Sequence, residues 1–464
     1  MPRHVAFVAF ASLSAAATAQ QLTPEQAAKV DQLVNKTLAD TGVPSAEIAI
    51  VRDGRVVLGK AYGKANEGLP ARPDLPYRIA SNSKQFTAMA LLLLEDEGKL
   101  SLDDHVSKWI PGISGGDRIT IRQLLSHTSG IQDFWPQDYM FTDMTKPTAP
   151  QGIADKWAKR PLDYDPGARW QYSNTGYVVA GMIAEKASGE PLLQYLDRKI
   201  FKPLGMHALN QDDTGTPAYP AGYHRYALGP VRVAEQPARG WLWAAGELSM
   251  TAEDLAKWDI ARMNRALIPA DDWAEQETPI LRTDGRTTGY GLGVVNHYAR
   301  ERHVIDHGGE AVGFLTQNSI YPDTKDAIIV FTNADFIGAT DTITEGIEKV
   351  VLDSPEPQLA GEGDRMVDVK TVYDALVSGK IDRSKFTDHL NDYFDATVLG
   401  DYQSSLAVLG APRSFEVLRG PRLRGGFVNR NFTIHYAGKP NLKLVTYAEP
   451  GANGRFEQFM IMPE

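Results

Sequence analysis

The first regular alternation of polar and apolar positions is an amphipathic helix that starts at Thr23. Thr23 is suited to cap it, Pro24 to open it, Glu25-Gln26 to fill its first turn and Gly42 to end it. The period then shortens to that of strands. Ala46 to Val51 predicts one strand, Asp53-Gly54 a tight turn, and Val56 to Tyr62 a returning strand. A helix followed by an antiparallel hairpin argues against a doubly wound parallel sheet. Ser81 to Leu100 is strongly apolar and reads as a helix ending at Gly98. The stretch onward to about residue 200 is helical and loop-rich. In it Thr120 caps Ile121 to Leu125, and a further helix covers Gly176 to Ser188.

Sheet character returns late. Tyr290 to Val295, Val304 to His307, Gly313 to Tyr321 and Ala327 to Thr332 are short strand-like runs, and Thr342 to Leu352 is a closing helix. The predicted fold is α+β: an antiparallel sheet built from both ends of residues 20–352, flanked by helices, with a helical subdomain inserted between. Residues 353–365 form a linker by composition. Residues 366–464 read as a small separate α+β domain. Its helices cover Val367 to Ser378, Phe386 to Phe394 and Asp395 to Leu409; its strands cover Phe415 to Leu418, Arg424 to Tyr436, Leu442 to Ala448 and Phe456 to Met462. No internal repeat or low-complexity tract interrupts the chain.

Composition narrows the class. Of 464 residues, 43% are hydrophobic and 23% charged, near globular averages. The longest apolar run after the N-terminus, Ala88 to Leu94, is far short of the ~20 residues that span a bilayer. Residues 1–19 differ: a short basic start at Arg3-His4, an apolar core from Val5 to Leu13, and Ala17-Thr18-Ala19 as a small-x-small cleavage site. A signal peptide cleaved after Ala19 is expected, hence an exported protein, periplasmic or secreted. Its removal takes away Arg3 and moves the formal charge from −10 to −11. An acidic chain without a Lys/Arg cluster disfavours nucleic acid and anionic membranes as partners. The absence of cysteine excludes a thiol nucleophile, a Cys-based zinc site and disulfides.

The central chemical candidate is Ser81-Asn82-Ser83-Lys84 at a helix start. Residues three apart share a helix face, so Lys84 reaches the Ser81 hydroxyl. A lysine beneath an apolar helix has a lowered pKa and can act as a base. The Ser81 N–H at the helix N-terminus is a candidate oxyanion donor. Ser-x-x-Lys alone recurs by chance, with Ser81 or Ser83 an ordinary N-cap. Tyr172-Ser173-Asn174, in a polar loop, adds a proton shuttle and an amide able to orient Lys84. His307-Gly308-Gly309 adds paired glycines against which a substrate can lie flat, and the Glu310 N–H as a second oxyanion donor. Alone, Tyr172 reads better as a packed surface residue, and His307 reads as a structural residue in a plain turn.

Taken together these segments are similar to the penicillin-recognising serine hydrolases: class C β-lactamases, D-Ala-D-Ala carboxypeptidases, D-aminopeptidases and β-lactamase-like esterases. The matching segments are Arg78 to Lys84, Leu124 to Ile131, Tyr172 to Asn174, Pro203 to Met206 and His307 to Gly309, in the family's order. The resemblance implies the fold sketched above and a site in which Ser81 is acylated and Lys84 and Tyr172 share the general-base task. Asn174, His307, Gly308, Gly309 and Glu310 would bind substrate and oxyanion. His127 reads as structural. One departure matters. Where β-lactamases carry Lys-Thr-Gly, this chain has His-Gly-Gly, without the fixed cation and hydroxyl that hold a substrate carboxylate. That favours esters, amides or small D-amino-acid peptides as substrates over a β-lactam or a D-Ala-D-Ala terminus. A non-catalytic sensor on the same scaffold is the alternative of another class.

Two other patterns are weaker. Gly112-Ile113-Ser114-Gly115-Gly116 fits Gly-x-Ser-x-Gly, yet it lacks the strand-to-helix setting of a nucleophile elbow. His303 and His307 would share a strand face, but no third ligand is evident at suitable spacing, so neither a metal nor another cofactor is expected. The C-terminal element order resembles the cone-shaped nuclear-transport-factor-like domains, and it leaves open covering the site, binding a ligand or dimerising.

Overall fold

Thr23 caps the first helix, α1 (Pro24–Thr41), with a reciprocal capping box: its hydroxyl accepts from Gln26 N while Gln26 Oε1 accepts from Thr23 N. Gly42, at φ 76°, ends it in the left-handed conformation that glycine tolerates. These and the following contacts belong to a computed structural model that describes residues 21–137, 139–210, 219–299, 302–352, 365–451 and 453–463. The expected signal peptide and nearly all of the expected linker lie outside the described residues. The chain divides into two compact units, Met1–Leu352 and Asp353–Glu464.

In the first unit the hairpin forms as β1 (Ser45–Arg52) and β2 (Arg55–Asn66), followed by the short β3 (Leu69–Pro70). Asp53 and Gly54 both have positive φ, the requirement of a type I′ turn. From the far end of the unit come β4 (Val295–Ala299), β5 (Arg302–Ala311), β6 (Phe314–Tyr321) and β7 (Asp326–Thr332). They join in the order β3-β2-β1-β7-β6-β5-β4, and the pairs β1/β2, β1/β7, β7/β6, β6/β5 and β5/β4 are all antiparallel. The central strands are buried on both faces, so alternate residues serve two cores. Ala46, Ile48, Ile50, Ile328 and Val330 pack with α1 and the closing helix; Ala49, Val51, Ala327, Ile329 and Phe331 pack with the inserted helices.

The insertion carries α2 (Lys84–Asp96), α3 (Asn174–Ser188) and α4 (Ala252–Met263). The apolar run from Phe86 to Leu94 makes α2 the centre of the largest core, against α3. The closing helix α5 (Ala339–Ile347) continues as a wider turn through Leu352. Among the described residues no helix is long and apolar enough to cross a membrane.

Several expectations change. The α-helix begins at Lys84, because Ala80–Ser83 is a tighter 3₁₀ turn whose Ser83 hydroxyl accepts from Leu248 N. The strand expected over Tyr290 to Val295 starts only at Val295. The residues before it form a turn in which Gly289 and Gly293 have positive φ, which a strand cannot accommodate. His307 lies inside a ten-residue strand, not at the end of a short one.

The second unit packs α6 (Met366–Ser378), α7 (Asp388–Tyr393) and α8 (Ala396–Ala407) against a sheet of β8 (Ser414–Arg424), β9 (Phe427–His435), β10 (Leu442–Ala448) and β11 (Phe456–Pro463). The sheet runs in sequence order and is antiparallel throughout. The strand expected from Arg424 starts at Phe427, because Gly425-Gly426, both at positive φ, turn the chain.

Candidate active site

Ser81 stands on the 3₁₀ turn that leads into α2, after Ala80 at φ 47°, a left-handed value unusual for alanine. The turn is pinned from several directions. Asn82 Nδ2 donates to the Thr316 hydroxyl at 3.0 Å, and that hydroxyl donates to Ile79 O at 3.1 Å. Gly309 presses against the same place. A Cβ there would lie 2.2 Å from Thr316 Oγ1 and 2.3 Å from Ile79 O. Glycine at 309 is therefore required for the strand to pack on the serine's turn, whereas Gly308 is exposed to the cleft. The glycine pair read from the sequence as a flat bed for substrate thus divides into one packing glycine and one that faces the cleft.

Lys84 has no exposed surface. Its Nζ lies 3.1 Å from Ser81 Oγ, 2.8 Å from Asn174 Oδ1 and 2.7 Å from Ala245 O. It also sits 4.7 Å from the Tyr172 ring centre and 5.4 Å from that of Tyr177, contacts that favour the ammonium. Burial outweighs them and draws its pKa down to about 7, with the nearby Asp133 carboxylate opposing. The acceptors decide what the neutral amine can do. Asn174 Oδ1 and Ala245 O only accept, so they take its two N–H groups, and its lone pair is left facing the Ser81 hydroxyl.

Asn174 is the first residue of α3, not part of a loop: the Ser173 hydroxyl caps that helix by accepting from Gly176 N. Asp133, absent from the sequence reading, orients it. Asn174 N donates to Asp133 Oδ1 and Asn174 Nδ2 to Asp133 Oδ2, which turns Oδ1 toward Lys84. The Tyr172 hydroxyl is hydrogen-bonded to Ser81, and burial raises its pKa, so the phenol keeps its proton. His127 is wholly buried, accepts from Ser173 N at Nδ1, and packs on the rings of Tyr172, Tyr177 and Tyr290. That is the structural place expected of it.

Ser81, Tyr172, Asn174, His307, Gly308, Gly309 and Glu310 all line one cleft of about 610 Å³, with Lys84 beneath it. His307 donates from Nδ1 to Gly308 O and meets the Tyr290 hydroxyl at Nε2, 2.8 Å away. Burial, then Lys84, draws its pKa down to about 4, so the ring is neutral where Lys84 titrates. The cleft lining includes the carboxylates of Asp133, Glu310, Asp335 and Asp341 and, among the described residues, no lysine or arginine. Ser114 is elsewhere, its hydroxyl donating to Lys159 O. His303 is engaged by Asn296 and Asp323, and no cluster of three metal-ligating side chains occurs among the described residues. Asp133 and Tyr290 carried no usable pattern in the sequence: one follows a matched segment without spacing of its own, the other sat in a run read as strand.

A serine held against a buried lysine and a tyrosine, between a helical insertion and an antiparallel sheet, defines the penicillin-recognising class of serine hydrolases. The profile of the family described as Beta-lactamase matches residues 30–347, and the chain belongs to that family as a serine hydrolase. It is 32% identical over 316 residues to the putative penicillin-binding protein PbpX of Bacillus subtilis (strain 168), covering 67% of this chain and 76% of that one. Its fold matches a D-stereospecific amidohydrolase from Streptomyces sp. with a TM-score of 0.61 at 28% identity, over 70% of this chain and 99% of the other. The octameric penicillin-binding protein homologue from Pyrococcus abyssi matches 94% of this chain and 99% of its own, with a TM-score of 0.62 at 21% identity. That likeness is one of fold, and it reaches into the C-terminal unit.

Proposed function

We propose that the protein is an exported hydrolase that forms an acyl-enzyme on Ser81 from esters, amides or small peptides, D-amino-acid ones included. The observation that carries the reading is Lys84 Nζ, 3.1 Å from Ser81 Oγ, desolvated, and with its other directions occupied by acceptors. The neutral amine takes the Ser81 proton as Oγ attacks the substrate carbonyl. Lys84 is the better acceptor, since burial holds the Tyr172 proton in place. Tyr172 then donates to the departing oxygen or nitrogen and recovers its proton from the Lys84 ammonium. The Ser81 and Glu310 N–H groups bind the oxyanion. Water, activated by the same pair, releases the acid.

The uncharged His307 and the carboxylates of the lining support substrates that bear no carboxylate beside the scissile bond. The Streptomyces amidohydrolase, D-stereospecific by its description, supports the amide branch. The penicillin-binding relative keeps β-lactam or D-Ala-D-Ala turnover as the second reading. A rate panel of a short-chain nitrophenyl ester, a D-amino-acid amide and a chromogenic cephalosporin ranks them; cephalosporin turnover far above the others reverses the order. A serine-directed phosphonate should label the parent and spare Ser81→Ala. Equal labelling of both sinks the hydrolase reading of Ser81.

A further inference from the structure

The geometry points to Tyr290 as a positioning residue: its hydroxyl donates to His307 Nε2, holding that histidine in one uncharged tautomer and keeping the strand wall of the cleft free of a cation. The hydrogen-bond count carries the assignment. His307 Nδ1 faces the carbonyl of Gly308, which only accepts, so Nδ1 bears a proton. In the neutral ring Nε2 is then an acceptor, and the phenol 2.8 Å away is its donor.

A second hydroxyl competes for the Tyr290 proton. The Tyr177 hydroxyl lies near that of Tyr290, and because its own proton goes to Leu125 O at 2.6 Å it can offer Tyr290 only a lone pair. If Tyr290 donated to Tyr177, the lone pairs of Tyr290 and His307 Nε2 would oppose each other at 2.8 Å unless His307 took a second proton. Burial and the Lys84 charge both resist that proton. His127, 4.9 Å from the Tyr290 ring, and Tyr172, 6.5 Å from His307, complete the titratable surroundings, and His127 is itself kept neutral by burial.

The chain also leaves Tyr290 little room to move. It is 3% exposed and sits in a turn pressed on the catalytic helix. A Cβ on Gly291 would lie 2.2 Å from Gln276 O, and one on Gly293 2.8 Å from Lys84 O. The same short segment therefore touches the backbone of the catalytic lysine and reaches the histidine of the opposite wall. A substrate carboxylate set against His307 would meet one N–H already given to Gly308 and one nitrogen acting as acceptor.

Nitrogen-15 histidine NMR on the full chain tests this, with His307 assigned through His307→Gln. The parent should show the neutral Nδ1–H tautomer from pH 5 to 8. In Tyr290→Phe, the His307 signals should mix tautomers and its titration midpoint should rise by about one pH unit or more. Identical signals and midpoints in the two proteins overturn the proposal. If the phenylalanine variant does not fold, the parent decides alone: an Nε2–H tautomer or a charged ring at pH 7 overturns it. The activity arm rests on the hydrolase reading. At pH 6, Tyr290→Phe should lower kcat on a neutral ester ~10-fold with KM within ~2-fold, and raise the relative kcat/KM of its carboxylate-bearing analogue ~5-fold. An unchanged preference with an unchanged histidine spectrum counts against Tyr290. A parent inert to both esters but showing the expected tautomer sinks the hydrolase reading and supports the positioning role.

Discussion

The helical and strand walls of the cleft each bury a nitrogen base beside Ser81, and they treat it oppositely. On the helical wall, Lys84 is surrounded by groups that accept from it, and one direction, toward the serine, is left for a lone pair. On the strand wall, both His307 nitrogens are engaged, one by Gly308 O and one by the Tyr290 hydroxyl. Burial is the first cause of the lowered pKa in each, to about 7 for the lysine and about 4 for the histidine. Desolvation alone therefore does not fit a group for the proposed role of base. A free direction aimed at the nucleophile separates the two, and the numbers place the lysine near the pH at which it would work.

The largest effect that sharpens this contrast comes from the helical wall. Ser81→Ala and Lys84→Arg should each cut kcat by roughly 10⁴-fold or more, the arginine because it keeps the charge and cannot surrender a proton. Steady-state kinetics with the label-competent protein as reference checks both, and an arginine variant within tenfold of the parent would break the assignment of Lys84 as base. His307→Gln, on the other wall, should cost far less, about 10-fold on a neutral ester.

Next in size is pH. Only neutral Lys84 accepts the serine proton, and its protonated fraction grows as pH falls. The kcat/KM of a non-ionising ester should thus fall about tenfold per unit below a midpoint near 7. A rate flat down to pH 5 contradicts a lysine base. Asp133→Asn follows: it puts an amide where two oxygens accept from Asn174, loosening the group that aims Lys84. A loss of ~10- to 100-fold in kcat is expected, with a smaller change in KM. The smallest effect separates the two glycines. Gly309→Ala should lower stability by about 1–3 kcal/mol through its clash with Ile79 O, while Gly308→Ala should change it by less than ~0.5 kcal/mol and raise KM instead. Urea melts of the two variants beside their KM values check this; equal destabilisation would erase the distinction.

Much of this was legible in the chain because it depends on near neighbours. The Thr23 capping box, the Asp53-Gly54 hairpin and the apolar stripe of the catalytic helix each act within a few residues and came out as read. The order of Ser81-x-x-Lys84, Tyr172-Ser173-Asn174 and His307-Gly308-Gly309 marked the site. Misreadings occurred where a distant contact overruled the local pattern. Tyr290 to Gly293 has strand-like alternation, yet close approach to the Lys84 backbone turns it into a glycine loop. Asp133 has no local signature, since it sits in a loop and receives Asn174 from the distant start of α3.

By itself, then, the sequence determined the α+β architecture and the family and singled out the candidate serine, lysine and tyrosine, because periodicity, caps and motif order are properties of short stretches. Only the tertiary structure decided which way the Asn174 amide points, that Lys84 is stripped of water, that Gly309 serves packing while Gly308 faces the cleft, and that Tyr290 meets His307. Each of these depends on groups far apart in the chain sharing one small, nearly dry volume, where the loss of solvent and the count of donors and acceptors set the chemistry.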